Sequence, residues 1–176
     1  MRSSPPSDPA LDERLRLIVD SYRRLTGKEL LDPQAATFVG AASAAMASLH
    51  DGGIAAEAAP TKQALWEAPR AIVAHGTEDD PVFFYGNRLA LELFDMDFAA
   101  FTRLPSRYSA EPLERAERAR LLERVTQRGY VDDYAGVRIG ASGKRFTINA
   151  ATVWNLLDEA GKLHGQAATF SDWQPL

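Results

Sequence analysis

The feature that most restricts the fold of this sequence is its C-terminal third, where three strand-like segments are separated only by short turns. Residues 145–156 alternate apolar and polar side chains, which is the period of a half-buried β-strand. Turn sequences at 140–143 (GASG) and 158–161 (DEAG) join this segment to strand-like residues 130–139 and 163–173. Strands joined by such short turns run antiparallel. This region therefore predicts an antiparallel sheet, and it argues against an all-helical fold or one with parallel crossovers.

The alternation also predicts which side chains share a face of the sheet. In the central strand we expect alternate residues to point to one side: Phe146, Ile148, Ala150, Thr152, Trp154 and Leu156. Residues 71–74 and 82–85 are short apolar runs around the turn-like sequence GTEDDP. They predict a further hairpin, which brings the number of strands to five.

Helices are expected between the two groups of strands. Asn87 and Asp97 are suited to cap short helices, because such side chains accept hydrogen bonds from free backbone amides. A longer helix should begin near Ser109 or Glu111 and end at Gly129. Together these elements predict an α+β fold, with a five-stranded antiparallel sheet, helices on one face and room for a pocket between the two layers.

The N-terminal third predicts a helical extension in front of this domain. Residues 1–8 are expected to form a disordered tail, residues 9–60 the helical extension with a linker, and residues 61–176 the α+β domain. The first helix should begin after Ser7 or Asp8 and carry one apolar face: Leu11, Leu15, Ile18, Val19, Tyr22 and Leu25.

The rest of the extension is rich in alanine and glycine. A second helix is expected from Asp32 to about His50, because alanine favours helix. Residues 51–60 (DGGIAAEAAP) are typical of a linker, and Thr61 is placed to cap a short helix that reaches Trp66.

Composition narrows the function classes. The chain has 20 lysines and arginines against 24 aspartates and glutamates, a net charge of −4, which argues against a protein that covers a nucleic-acid backbone. It has no cysteine, so disulfides, thiolate metal sites and cysteine-linked flavin are excluded. Neither a signal peptide nor a membrane span is expected, because the longest apolar stretch, 38–49, is short and mostly alanine. We expect a cytoplasmic protein with no membrane or nucleic-acid partner.

Several short blocks occur in an order that is similar to a known family. They are YGNRLA at 85–90, LF at 93–94, LPSR at 104–107, SAEP at 109–112, GYVDDY at 129–134, GVR at 136–138, ATVWN at 151–155 and AATFSDW at 167–173. SYRRLTG at 21–27 also looks like the leader of this family. In these blocks the sequence resembles the MEKHLA domain, a PAS-related family.

The resemblance implies a five-stranded antiparallel sheet with flanking helices and a sensory or regulatory role. The family occurs at the end of plant homeodomain–leucine-zipper transcription factors and as small bacterial proteins. No family-wide catalytic residues carry over to this chain. The DNA-binding and zipper portions are not part of this sequence, so the transcription-factor role does not transfer.

Three polar residues are the sharpest candidates for ligand contact, and each has an ordinary structural alternative. Asn87 either faces a ligand or caps its helix and ties the hairpin to it. Arg107 and Arg138 lie among apolar and aromatic residues, where a guanidinium can clamp a carboxylate or phosphate. Alternatively they form internal salt bridges with Asp132, Asp133 or Glu111.

Aromatic side chains either line the expected pocket or simply pack in the core: Phe84, Phe94, Tyr108, Tyr130, Tyr134, Trp154 and Phe170. No metal site is expected, because His75 and Glu78 lie in a turn and the other histidines are distant in sequence. The long helix has no histidine to hold haem, whereas flavin bound without a covalent bond stays open. Its charged residues, Arg118 and Arg120 among them, are expected to form a solvated face.

We therefore expect a non-catalytic, PAS-like sensory module that binds a small apolar or mixed-polarity ligand. Such a module would signal through its N-terminal helices or a dimer surface. We expect a homodimer through those helices. One alternative is a pure interaction domain that forms this homodimer without a ligand. The other is a small α+β pocket enzyme, for which no catalytic motif is found.

Overall fold

The computed structural model describes residues 6–31, 55–111 and 115–176, and the side chains of these except 55–60 and 115. The predicted helix from Asp32 to about His50 lies outside the described residues. In chain order the elements are α1 (Pro9–Thr26), α2 (Ala55–Glu67), β1 (Ala71–His75), β2 (Phe83–Gly86), α3 (Arg88–Phe94), α4 (Phe98–Phe101), a 3₁₀ helix (Ser106–Ser109), α5 (Arg115–Arg128), β3 (Tyr130–Ile139), β4 (Arg145–Leu157), β5 (Leu163–Phe170) and β6 (Asp172–Pro175).

The strands form one antiparallel sheet in the order β2-β1-β5-β4-β3, and β6 also pairs with β4. The predicted α+β fold is therefore confirmed. The sheet has six strands rather than five because the predicted last strand is interrupted at Ser171. β5 and β6 lie in line along the same edge of β4, with Thr169 opposite Thr152 and Asp172 opposite Asn149.

The predicted single-face alternation of β4 is wrong because the strand contains an irregularity at Ala150. This residue has a left-handed backbone, with φ of 48°, and the pairing of β3 with β4 shifts nearby, around Tyr134. Phe146 and Ile148 consequently share a face with Val153, whereas Trp154 and Leu156 point to the opposite face.

The sheet separates two hydrophobic clusters. We call the side that includes Val73, Ile148 and Phe170 the front face; α3, α4 and α5 pack on it. We call the side that includes Ile72 and Trp154 the back face, and α1 packs there. The helices of the α+β domain thus cover the front, and the N-terminal extension covers the back.

The sequence of α1 explains both its limits and its position. Asp8 caps the helix by accepting a hydrogen bond from the amide of Ala10 (3.0 Å), and Gly27 ends it with φ of 69°. Ser21 is fully buried and exchanges two 2.9 Å hydrogen bonds with the backbone of Leu157. The apolar stripe of α1 packs on the back face through Leu11, Leu15, Ile18 and Tyr22.

The predicted linker at residues 51–60 is wrong in its second half. Helix α2 begins at Ala55, ahead of the predicted cap at Thr61. The alanines in this segment favour helix.

Candidate functional site

A cavity of about 50 Å³ lies between the front face of the sheet and α5. Of the sixteen lining residues that the structure describes, ten are apolar and six are polar: His75, Ser109, Arg118, Tyr134, Arg138 and Gln166. A buried water needs about 10–15 Å³ of such space, so the cavity holds roughly three to five water-sized atoms. An apolar space with a few placed polar groups is the usual form of a small-molecule site.

Arg138 brings a charge into this space from β3. It is only 7% exposed, and its guanidinium donates to the hydroxyl of Tyr134 (2.8 Å) and to the carbonyl of Val137 (2.9 Å). The guanidinium carbon also lies 5.1 Å from the centre of the Tyr134 ring. All of these partners are neutral, so the positive charge of Arg138 is solvated but not balanced by them.

Arg118 reaches the same cavity from α5. Burial is the main reason that its pKa falls to about 10, and the charge of Arg138 lowers it further. A pKa of about 10 still leaves the guanidinium protonated near neutral pH. Among the described residues, the cavity lining therefore carries two positive charges and no aspartate or glutamate.

His75 lies at the end of β1 and contributes a neutral imidazole. Its Nδ1 donates to the carbonyl of Gly76 (2.9 Å). Burial lowers the pKa of His75 to about 4, so the ring is uncharged at neutral pH and Nε2 is a hydrogen-bond acceptor. Among the described residues Nε2 has no partner.

A polar network joins α5 to the central strands next to the cavity. Gln166 donates to the carbonyl of Leu122 (3.2 Å), to the hydroxyl of Thr126 (3.1 Å) and to the side-chain oxygen of Asn155 (3.0 Å). Asn155 in turn donates to the carbonyl of Val125 (3.0 Å). Because these contacts lie in the C-terminal half of α5, they fix this part of the helix against the sheet.

Four of the predicted site residues line the cavity: Phe94, Tyr134, Arg138 and Phe170. Asn87 does not; it is fully buried and bonds only to backbone groups. Its side-chain oxygen accepts from the amides of Ile72 (3.0 Å) and Ala90 (3.2 Å), and its nitrogen donates to the carbonyls of Leu65 (3.2 Å) and Arg70 (2.8 Å). Of the two alternatives for Asn87, ligand contact and helix capping, the structure therefore has the second.

The remaining predicted residues lie elsewhere. Arg107 forms a 3.0 Å salt bridge with Asp80 at the surface and lies 4.5 Å over the ring of Tyr108. Phe84, Tyr130 and Trp154 belong to the back-face cluster. Arg14 of α1 covers the Phe84 ring at 3.5 Å, and Tyr22 meets Trp154 edge-on at 4.9 Å.

Several polar residues of the cavity are not predicted by the sequence. The charge pattern of α5 places Arg118 on a solvated face, but its guanidinium lines the cavity. Gln166 and Ser109 are not among the predicted site residues, and the sequence raises His75 only as a metal ligand. The one sequence signal for Gln166 is an amide side chain within an otherwise small and apolar strand.

A larger cleft of about 750 Å³ lies between α1 and the β4–β5 turn. It is open and its walls carry both signs of charge, including Glu13, Arg16, Asp158 and Lys162. At its rim His164 lies 2.8 Å from Asp158, and this hydrogen bond is the main reason that the pKa of Asp158 is lowered. Such a mixed, open surface is typical of a solvated groove rather than of an enclosed site.

Solved structures show the fold class of this chain. A PAS domain from Colwellia psychrerythraea superposes with a TM-score of 0.55 at 12% identity, covering 64% of this chain and 91% of that domain. A light-oxygen-voltage domain studied with a flavin analogue gives 0.52 at 15% identity, covering 64% and 82%. The protein thus has the fold of PAS-type sensory domains. Within that class, the chain belongs to the MEKHLA domain family, whose pattern matches residues 12–175.

Curated relatives are plant proteins that are much longer than this chain. Homeobox-leucine zipper protein HOX9 of Oryza sativa subsp. indica is 24% identical over 109 residues, and ATHB-9 of Arabidopsis thaliana is 24% identical over 111 residues. In both cases the match covers 62% of this chain and 13% of the plant protein. The matched part of the chain thus spans about an eighth of the length of these relatives.

The cavity is too small for the larger cofactors. A three-ring flavin or a haem far exceeds about 50 Å³, so the residues as arranged fit neither group. Across residues 6–31, 55–111 and 115–176 there is no cluster of three or more histidine, aspartate or glutamate side chains placed to hold a metal ion. In the same part of the chain, no helix combines the length and apolar character needed to cross a bilayer.

Proposed function

We propose that this protein is a sensory module that binds a small molecule in the cavity between the front face and α5 and reports it through α1. The main support for this proposal is the cavity, a small and mostly apolar space with a few polar side chains in its wall. This is the usual form of a small-molecule site. The proposed role is binding rather than catalysis, because the lining residues that the structure describes include no carboxylate. Their one serine, Ser109, donates to the carbonyl of Ser106 (2.7 Å).

The contacts of the central strands support α1 as the output element. Ala167 of β5 lines the cavity and also belongs to the back-face cluster. Its partner in the ladder is Trp154, whose ring contacts Tyr22 of α1. A change in the packing of β4 and β5 would therefore alter both the cavity on the front face and the contact with α1 on the back face. A ligand acts through this route only if it binds two arrangements of α1 with unequal affinity.

The test is hydrogen exchange of the full chain with and without compounds that raise its unfolding temperature. A ligand in the cavity is expected to slow exchange in α5 and, on the opposite face, to change exchange in α1. Tyr22→Leu, which removes the ring contact with Trp154, is expected to keep binding and weaken the response of α1. Binding without any change in α1 would refute the signalling route, and a broad metabolite set without any binder would refute the sensor.

The proposed homodimer is a separate question. The apolar face of α1 that such a dimer would use is buried against the sheet of its own chain. We therefore propose that α1 acts within the chain, in a cytoplasmic setting. Light scattering over a range of concentrations tests this: a constant monomer mass supports it, whereas a stable dimer that dissociates on Leu15→Asp substitution contradicts it.

A further inference from the structure

The charged side chains that the structure describes in the cavity lining are all positive. Arg118 and Arg138 both line the cavity, from α5 and β3 respectively, and no aspartate or glutamate of residues 6–31, 55–111 and 115–176 does. Arg138 is more than nine-tenths buried, and its hydrogen-bond partners among the described residues are a phenol and a carbonyl. Within the described part of the chain, neither arginine forms a salt bridge, although seven other lysines and arginines of that part do.

Such an arrangement costs free energy in the absence of a partner. A buried charge is normally neutralised by an opposite charge, and neutral hydrogen bonds compensate it only in part. Two like charges that share a small space also repel one another. An anion placed between the two guanidiniums would remove both costs and gain charge-assisted hydrogen bonds, which are the strong ones.

We propose that the ligand of this cavity is a short-chain carboxylate, held at its carboxylate end by Arg118 and Arg138. This inference rests on the proposed function and names the chemical class of its ligand. The volume of about 50 Å³ admits a molecule of roughly three to five non-hydrogen atoms, which is the size of acetate or propionate; lactate is one atom larger.

The rest of the lining favours a carboxylate over an inorganic oxyanion. Ten of the sixteen described lining residues are apolar, with Phe94, Ile148 and Phe170 among them. Phosphate or sulfate would place oxygen atoms against these side chains without hydrogen bonds, which is unfavourable. A carboxylate instead presents one polar end to the arginines and a carbon end to the apolar wall.

The experiment is calorimetric titration and thermal unfolding of the full chain with sodium acetate, propionate and lactate. Sodium chloride at equal ionic strength and sodium phosphate are the comparison salts. Arg118→Gln and Arg138→Gln each remove one charge from the cavity. Arg120→Gln is the matched control, because Arg120 lies on the same helix and is exposed.

At least one carboxylate is expected to bind the wild type and to raise its unfolding temperature more than chloride does. Each cavity variant should weaken this binding by about tenfold or more, and Arg120→Gln should leave it unchanged. Without ligand, Arg118→Gln should unfold at the same or a higher temperature than wild type, because it relieves repulsion. This folded variant keeps the test decisive even if Arg138→Gln is too unstable to titrate.

Three results would overturn the inference. They are no carboxylate effect beyond that of chloride, equal binding of phosphate, or carboxylate binding that both cavity variants retain. The proposed function is tested separately, since it fails only if no compound of a broad metabolite set binds. A neutral compound that binds wild type and both variants alike, with no carboxylate effect beyond that of chloride, would overturn the carboxylate and leave the sensor standing.

Discussion

At the scale of single residues, the side chain of Asn87 links four separate backbone segments by hydrogen bonds. One amide side chain serves the start of α3, the start of β1, the end of α2 and the residue between α2 and β1. Its oxygen accepts two hydrogen bonds and its nitrogen donates two, so its capacity is used in full. Three elements are thereby fixed at one buried point.

Asn87→Ala is expected to lower the free energy of unfolding by roughly 3 kcal/mol or more. The reason is that it leaves several buried backbone groups without partners, at about 1–3 kcal/mol each. Asp97 is the matched control: it caps α4 by accepting from the amide of Ala100 (2.7 Å) but lies at the surface, so Asp97→Ala should cost about 1 kcal/mol. Urea denaturation measures both, and equal losses would show that burial of the Asn87 network adds nothing.

Residue-level prediction from the sequence succeeds where the cause is local and fails where it is not. A cap depends on the residue and its immediate neighbours, so the helices after Asn87 and Asp97 are correctly predicted. The environment of an arginine depends on distant chain. Arg107 lies near Asp80, 27 positions away, and Arg118 lies over a cavity whose other wall is formed by β3, β4 and β5. The local sequence around Arg107 and Arg118 does not indicate these distant neighbours.

At the scale of elements, β4 shows how one residue redirects a whole face. Its alternation correctly predicts a strand at 145–157, but the left-handed backbone at Ala150 reverses the faces beyond that point. Phe146 therefore supports the front face, while Trp154 supports the packing of α1. Hydrophobic alternation predicts which residues share a face only while the strand is regular. The irregularity at Ala150 could not be predicted, because alanine is not a residue type that indicates positive φ.

Two substitutions of Ala150 should change the free energy of unfolding in opposite directions. Ala150→Gly is expected to stabilise the protein by up to about 1 kcal/mol, because glycine adopts positive φ without the steric cost that an L side chain meets there. Ala150→Val should destabilise it by more than about 1 kcal/mol, since a branched side chain is least tolerated there. Ala150 is exposed, so lost packing does not confuse the comparison. Thermal unfolding of both variants is the measurement, and a higher unfolding temperature for Ala150→Val would contradict the left-handed geometry.

At the scale of the whole molecule, the sheet needs a helix layer on each side. The front-face layer is the one expected of a PAS-type fold. On the back, α1 covers strand residues that include Ile72, Trp154 and Leu156, all of them fully buried. The family match begins at residue 12, inside α1, so it includes this helix. The boundary predicted at residue 61 separates α1 from the domain. The apolar stripe of an amphipathic helix shows that one face is buried, but not which surface it is buried against.

A chain shortened to residues 55–176 is accordingly expected to be severely destabilised. Four side chains of α1 are buried on the back face: Leu11, Leu15, Ile18 and Tyr22. At about 1.5–3 kcal/mol for each large apolar side chain, their contribution is comparable with the total stability of a typical domain, about 5–15 kcal/mol. The shortened chain should bind a hydrophobic dye, self-associate and lose its cooperative unfolding transition.

A point variant separates the loss of this packing from the general effects of truncation. Ile18→Ala in the full chain should cost about 2–5 kcal/mol, because Ile18 is fully buried. Arg16→Ala, on the exposed side of the same helix, should change stability by no more than about 0.5 kcal/mol. If residues 55–176 instead remain monomeric and unfold at the temperature of the full chain, α1 is an accessory to the sheet. It would then be poorly suited to report what the cavity binds, since a signal carried by packing requires that the two layers share their stability.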